Sequence, residues 1–227
     1  MDVYTNEFHS GHLYVRITEQ EADHLDIAAF EKLIDEHRKP LQIIVPVDAT
    51  MTIRLLAKAG FALKRRCYEM DVRASDLRTP LSAPVERLAA AHRGTLAYAE
   101  CARRMYAYYA ETHLSVNPLT ASLQAFTKKL PPDAYYWAAE GAIHAAAFVE
   151  SNEIAYLWAR DRQTFQAFAP ALLFELFSRY DRITFEADDT DWVATELKNM
   201  FSAADNSRYD TYIKSMDLQN DGKEVST

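Results

Sequence analysis

The chain has 227 residues, of which 49% are hydrophobic and 26% charged, the proportions of a folded protein with a packed core. Its formal net charge of -8 disfavours a nucleic acid or an anionic membrane as partner, and no apolar run approaches the roughly 20 residues that span a bilayer. The first residues hold neither a basic start nor an apolar stretch, so we expect no signal peptide. With only two cysteines, Cys67 and Cys101, we expect a cytoplasmic protein with free thiols.

The first third of the chain alternates between strand and helix signals. β-branched and aromatic residues predict three strands, at 13–17, 41–47 and 63–72. Apolar residues at helical spacing predict a helix over 19–38. Asp48 is the expected N-cap of a second helix, which ends at Gly60.

The remaining two thirds begin with two X-Pro pairs, which predict a connector over 77–95 with a short helix at 84–92. The periodic segments that follow predict helices at 96–113, 119–130, 164–180 and 191–201. Strands are predicted at 134–140, 142–150, 154–160, 182–186 and 207–216. The polar tail from Asp217 is expected to be frayed.

An internal repeat organises these elements. The order strand, helix, strand, helix, strand occurs twice, with an offset of roughly 140 residues. The second copy has an additional helical pair and two strands in front of it. We therefore predict a partial repeat over 1–76, a connector over 77–95, a complete domain over 96–217 and a tail over 218–227.

The segment 55–72, LLAKAGFALKRRCYEMDV, resembles the late helix, the Gly-Phe turn and the following strand of the GNAT family, the Gcn5-related N-acetyltransferases. Residues 134–216 are similar to the rest of that fold, and the helices within 96–130 to its first helical pair. The resemblance implies an α/β (α+β) fold, a mixed and mostly antiparallel sheet flanked by helices, with an N-terminal partial repeat. It also implies acetyl-CoA as co-substrate and an amine as acceptor.

In that family the pyrophosphate of acetyl-CoA lies on backbone N–H groups at the start of a helix, in the signature Gln/Arg-x-x-Gly-x-Gly/Ala. The aligned stretch here is 164–169, TFQAFA, where Thr replaces the basic residue and Ala167 the first glycine. Arginines just upstream can supply the missing charge. The resemblance implies these acetyl-CoA contacts: Trp158, Arg160, Arg162, Phe165, Gln166, Ala167, Phe168 and Ala169.

Two alternatives bound this prediction. The same stretch is also typical of an ordinary amphipathic helix with arginines before it. In the first copy the matching window, 21–26, is acidic and would repel a pyrophosphate, so we expect no acyl-CoA site there.

The family commonly has a catalytic tyrosine shortly before the Gly-Phe turn, where this chain has Leu56 in the first copy and Glu196 in the second. Tyr209 and Tyr212, on the last predicted strand, are the substitute candidates for the catalytic acid. The alternative is that either tyrosine only packs against its neighbours on a half-buried strand.

Acidic residues crowd the end of the strand that contains Glu186. Neighbouring carboxylates raise one another's pKa, which makes Glu186 the candidate general base and favours a cationic amine as acceptor. The alternatives are that Asp189 or Asp191 caps the next helix, or that the cluster holds a hard cation. We expect no metal.

Three further residues or runs have competing interpretations. His113 is a candidate to face the acceptor, or else a helix-end residue that bonds a carbonyl. The basic run 64–66 indicates a solvated edge rather than a nucleic-acid patch. Cys67 has basic neighbours but no His/Asp pattern after it, so we do not expect a thiol nucleophile.

The sequence thus predicts an N-acetyltransferase that acts on a small-molecule or peptide amine. The alternative is a degenerate GNAT-like binding protein without acetyl-CoA turnover. We expect a monomer or a homodimer, because the partial copy leaves sheet edges that need a cover.

Overall fold

The computed structural model describes residues 1–84, 88–202 and 207–216. The strands are β1 (Asp2–Tyr4), β2 (Leu13–Arg16), β3 (Leu41–Pro46), β4 (Ala62–Val72), β5 (Ala89–His92), β6 (Asp133–Ala139), β7 (Ala142–Glu150), β8 (Glu153–Ala159), β9 (Ile183–Asp188) and β10 (Arg208–Lys214). The helices are α1 (Glu19–Ala22), α2 (Ala28–His37), α3 (Thr50–Lys58), α4 (Leu96–His113), α5 (Leu123–Lys129), α6 (Arg162–Phe177) and α7 (Trp192–Asn199).

All described strands belong to one sheet, in the order β1-β2-β3-β10-β4-β9-β8-β7-β6-β5. The fourth and fifth strands of this order, β10 and β4, form an antiparallel pair. On one side β10 pairs antiparallel with β3, which pairs parallel with β2; on the other, β4 pairs antiparallel with β9, which pairs parallel with β8. The two pairings next to the β4–β10 pair are therefore the same on both sides, antiparallel and then parallel, and each predicted unit contributes a strand to the other's half.

Helices cover both faces of the sheet. Alternation along the strands places Ile43 and Tyr212 in a core with α2 and α3, while Thr211 points to the opposite face. In the second half, α4 packs on β7 through Tyr98 and Phe148, whose ring centroids lie 5.4 Å apart. The α4 face is the one that holds the candidate site.

The predicted helix over 19–38 is two helices. A capping box of Thr18 and Glu21 starts α1, which ends at Ala22 before α2 begins at Ala28. The predicted cap Asp48 is wrong: α3 begins after Ala49, without a side-chain cap of its own. The Glu19 carboxylate of α1 accepts the N–H groups of Met51 and Thr52 instead, at 3.2 and 3.0 Å.

The predictions for the helix at 84–92, for the tail and for Gly60 have different outcomes. The predicted short helix at 84–92 is wrong over Ala89–His92, which forms β5 against β6, because pairing in the sheet outweighs the helix propensity of its alanines. Residues 85–87 and the tail from Asp217 lie outside the described residues. The prediction for Gly60 is confirmed: α3 ends at Lys58, and Gly60 adopts a φ of 79° that favours glycine.

Candidate functional site

A cavity of about 530 Å³ opens where β8 and β9 separate. The two strands pair at only two positions, Glu153 with Thr184 and Ile154 with Phe185, and then diverge. Residues of five adjacent strands, β3, β10, β4, β9 and β8, line the cavity, together with residues of α4 and α7. The polar and aromatic lining residues are Arg65, Cys67, Glu69, Tyr108, Tyr109, Thr112, His113, Glu153, Tyr156, Glu186, Asp188, Asp191, Tyr209 and Thr211.

A buried ion pair lies at the centre of the cavity. Arg65 Nη1 of β4 is 3.1 Å from Asp188 Oδ2 of β9, and the two side chains are only 11% and 18% exposed. Burial raises the pKa of Asp188, and the Arg65 charge opposes this shift. Within the described chain, Arg65 Nε and Asp188 Oδ1 are buried without hydrogen-bond partners. The prediction of a solvated edge is therefore wrong for Arg65, since its partner lies on the next strand.

His113, at the end of α4, faces the same ion pair. Its Nδ1 donates to the Tyr109 carbonyl, 3.0 Å away, because a carbonyl only accepts. Burial and the nearby Arg65 lower the pKa of His113 to about 3, so the imidazole is neutral and Nε2 carries a lone pair. Nε2 lies 4.0 Å from Asp188 Oδ2. The predicted bond of His113 to a carbonyl is thus confirmed, and its role toward the acceptor stays a prediction.

Two tyrosines of α4 are committed to fixed partners. The Tyr109 hydroxyl donates to His9 Nε2 at 3.0 Å, since His9 Nδ1 bonds the carbonyl of Pro118. The Tyr108 hydroxyl donates to Asp191, whose carboxylate also caps α7. Capping by Asp191 is therefore confirmed as one of the predicted alternatives. Burial raises the pKa of both hydroxyls, which keeps them protonated.

Glu186 lies on β9, two residues before Asp188 and on the same face of the sheet. Burial raises its pKa, and the neighbouring Asp188 and Glu69 raise it further. Its only hydrogen-bond donor among the described side chains is the Cys67 thiol, 3.8 Å away. Burial and the carboxylates of Asp188 and Glu186 raise the pKa of Cys67, which agrees with its prediction as a non-nucleophile.

The two candidate tyrosines of β10 lie on opposite faces. Tyr209 lines the cavity, whereas Tyr212 is buried in the core against α2 and α3. Their spacing of three residues on a strand requires this separation, so the prediction of Tyr212 as a catalytic residue is wrong. The sequence analysis missed Tyr156, which lines the cavity from β8. Alternation on the predicted strand at 154–160 was the one signal that could have found it.

Solved structures with the same fold were found by structural comparison. A GCN5-related N-acetyltransferase from Sphaerobacter thermophilus matches with a TM-score of 0.58 and 16% identity, over 94% of this chain and 75% of that one. A second, from Kribbella flavida, matches at 0.50 and 15% identity, over 89% and 80%. A tandem GNAT protein from the clavulanic acid biosynthesis pathway matches at 0.51 and 11% identity, over 90% and 75%.

The chain has the GNAT fold. No family model and no curated protein matches its sequence. The predicted fold, a mixed sheet flanked by helices, is therefore confirmed, and the site must be interpreted from its own residues.

The start of α6 does not fit the diphosphate of coenzyme A in the manner that the GNAT resemblance implies. Helix α6 begins at Arg162, so the stretch 164–169 lies inside the helix, where the N–H groups from Phe165 onwards bond to carbonyls four residues earlier. The Thr164 N–H donates to the Asp161 carboxylate at 2.8 Å, and the Phe165 N–H to the Asp161 carbonyl at 3.0 Å. These N–H groups are not available to a phosphate.

The side chains predicted to contact acetyl-CoA are also engaged elsewhere. Arg160 pairs with Asp161 at 2.9 Å, and Arg162 with Glu196 at 3.5 Å. Trp158 is buried under the Arg104 guanidinium, 5.9 Å from its ring. The remaining members divide into buried residues of α6, namely Phe165, Phe168 and Ala169, and exposed ones, Gln166 and Ala167. None of the predicted eight lines the cavity.

Among the residues that the structure describes, no group of three or more His, Cys, Asp or Glu side chains is placed to hold a metal ion. No described helix is both long and apolar enough to cross a bilayer.

Proposed function

We propose that the protein is an N-acyltransferase that moves an acyl group from a thioester donor to a primary amine bound in the acid-lined cavity. One observation carries the proposal: three acceptors of hydrogen bonds surround the cavity with too few donors. They are the Asp188 carboxylate, which pairs with Arg65, together with His113 Nε2 and the Glu186 carboxylate. A primary ammonium offers three N–H donors and a positive charge, which suits this set.

Glu186 is the proposed general base. The pKa of Glu186 is raised, so it lies closer to the pKa of the amine than the pKa of an exposed carboxylate does. Proton transfer from the ammonium to Glu186 is therefore less unfavourable. The neutral amine then attacks the thioester carbon: the C–N bond forms, the C–S bond breaks, a cavity hydroxyl gives its proton to the thiolate, and that hydroxyl takes up the second proton that the nitrogen loses. Tyr209 and Tyr156 are the cavity hydroxyls that can supply this proton, because Tyr108 and Tyr109 donate elsewhere.

The gap between β8 and β9 supports the thioester side of the proposal. Beyond Ile154, the edge of β8 that faces β9 has no strand partner in the described sheet. Its backbone N–H and C=O groups are therefore free to bond an extended acyl arm. Acetyl-CoA remains the predicted donor, and the symmetric strand arrangement around β4 and β10 supports the proposed partial tandem repeat.

Amine binding and turnover test the proposal separately. We expect n-butylamine to raise the melting temperature, whereas 1-butanol and the N,N,N-trimethyl derivative of butylamine do not, because neither offers three charged N–H donors. Glu186→Gln is expected to abolish acyl transfer, and the matched control Glu150→Gln, on the exposed end of β7, to leave it unchanged. A protein that binds none of these amines and transfers no acyl group would contradict the proposal.

The predicted alternative is a binding protein without turnover. The start of α6 favours it, because the Asp161 carboxylate already accepts the Thr164 N–H there. It predicts amine binding that persists in Glu186→Gln without acyl transfer by either protein. The assay above therefore separates the two functions.

A further inference from the structure

The two helices that follow β8 and β9 each have an aspartate carboxylate as N-cap. At α6, Asp161 Oδ1 accepts the N–H of Thr164 at 2.8 Å. At α7, Asp191 Oδ1 accepts the N–H groups of Val193 and Ala194 at 2.8 and 3.1 Å. A helix start binds a phosphate through free N–H groups and its positive dipole end. Here an incoming phosphate would meet a carboxylate at either helix.

The arginines beside α6 do not change this balance. Arg160 lies 2.9 Å from Asp161, and Arg162 lies 3.5 Å from Glu196. Each guanidinium thus has an acid of its own, so the local charge is close to zero. A diphosphate would have to displace both acids from their partners before it gained the two arginines.

The cleft itself suits an uncharged arm. Its inner wall includes Leu157 of β8 together with Ala194 and Leu197 of α7, which are apolar. The unpaired edge of β8 supplies backbone donors and acceptors along the same path. The acids Glu186 and Asp188 of β9 line the same cavity. An amide-containing, uncharged chain complements both the apolar wall and the free backbone.

We infer that the cleft recognises the acyl-pantetheine arm of its donor and gains no affinity from a nucleotide diphosphate, with Asp161 as the residue that excludes the diphosphate. The inference rests on the proposed function, since it specifies the donor of the same site. It predicts that the part of the donor beyond the pantetheine arm adds no affinity, so S-acetylpantetheine and acetyl-CoA bind equally well.

Calorimetric titration of the full chain with these two donors tests the inference. We expect their dissociation constants to agree within about threefold for the wild-type protein. Asp161→Asn keeps a side chain that caps a helix but removes the charge. It is expected to tighten acetyl-CoA binding by about fivefold and to leave S-acetylpantetheine unchanged. The double variant Arg160→Gln/Arg162→Gln is expected to change neither constant by more than about threefold.

Two results would overturn the inference in different ways. If acetyl-CoA binds more than about tenfold tighter than S-acetylpantetheine, and the double arginine variant removes the difference, the diphosphate is recognised. The inference then falls and the proposed acyltransferase stands. If neither donor binds while n-butylamine still does, the inference falls together with acyl transfer, and the binding-protein alternative remains.

Discussion

Arg65 and Asp188 join the two predicted units of the chain through one ion pair, 3.1 Å long and mostly buried. Removing one partner of a buried pair leaves an uncompensated charge, which costs more than the pair contributes. We expect Arg65→Met to lower the free energy of unfolding by about 3 kcal/mol in urea denaturation.

The neighbouring pair of Arg66 and Asp189 is the matched control. Its atoms lie 3.8 Å apart, and its side chains are 44% and 37% exposed. Because solvent screens such a pair, Arg66→Met should cost less than about 1 kcal/mol. The double variant Arg65→Met/Asp188→Asn should regain part of the loss. If the two single substitutions lower the free energy of unfolding equally, burial of the Arg65 pair does not affect stability.

The raised pKa of Glu186 predicts a pH-dependent stability. A carboxyl group whose pKa is higher in the folded state than in the unfolded state stabilises the protein at low pH, and this contribution is lost as pH rises through the folded value. Glu186→Gln should therefore stabilise the protein at pH 7 relative to wild type, and by less at pH 4. Denaturant titrations at both pH values measure the difference.

Glu100 provides the control of opposite sign. The guanidinium groups of Arg103 and Arg104 lower its pKa to about 2. Such a group contributes stability above its unfolded pKa that is lost as pH falls towards 2. Glu100→Gln should thus destabilise the protein at pH 7 and lose this effect at about pH 2. If both variants respond to pH with the same sign, the environment assigned to Glu186 is wrong.

The state of His113 can be observed directly. The Nδ1–H group of His113 donates to the Tyr109 carbonyl, and the pKa of the ring is lowered to about 3. The ring should therefore remain neutral from pH 5 to pH 8. Nitrogen-15 spectra of the imidazole should show one protonated Nδ1 and an unprotonated Nε2 over that range. Titration near the ordinary value of 6.5 would remove His113 from the acceptor set proposed for the amine.

Local patterns predicted much of this molecule. The helix Leu96–His113 is found at its predicted bounds, and Glu186 and His113 lie in the cavity as the clustered acids and the helix-end position indicated. These features depend on periodicity and on neighbours in sequence, which the chain itself displays.

Other features depend on partners distant in sequence. Glu19 caps α3 in place of Asp48, and Arg65 finds Asp188 on the neighbouring strand, more than a hundred residues away. Neither contact follows from a local pattern, because the strand order that creates it is not encoded in either segment alone. The predicted start of α6 is wrong for a simpler reason: Asp161 caps a helix that begins at Arg162, two residues before the predicted start at 164.

The cap at Asp161 has a measurable energetic role apart from any ligand. Its carboxylate satisfies the Thr164 N–H at the start of a helix whose other face is deeply buried. We expect Asp161→Ala to lower the melting temperature, and Asp161→Asn to lower it much less. Thermal melts of both variants check the order. If alanine and asparagine are equivalent, the carboxylate does not cap α6, and its exclusion of a diphosphate loses its basis.

Tyr209 and Tyr212 give the clearest separation of activity from stability, because alternation on β10 places one in the cavity and the other in the core. Tyr209→Phe should leave the melting temperature nearly unchanged and, if its hydroxyl protonates the thiolate, lower acyl transfer about tenfold or more. Tyr156→Phe, on the opposite wall, tests the competing hydroxyl in the same assay.

Tyr212→Ala removes a buried ring and should cost about 3 kcal/mol of unfolding free energy, since the core against α2 and α3 cannot refill the space. An unchanged rate in both phenylalanine variants would assign the proton to solvent, whereas a rate loss in a stable Tyr212→Phe protein would contradict the placement of Tyr212.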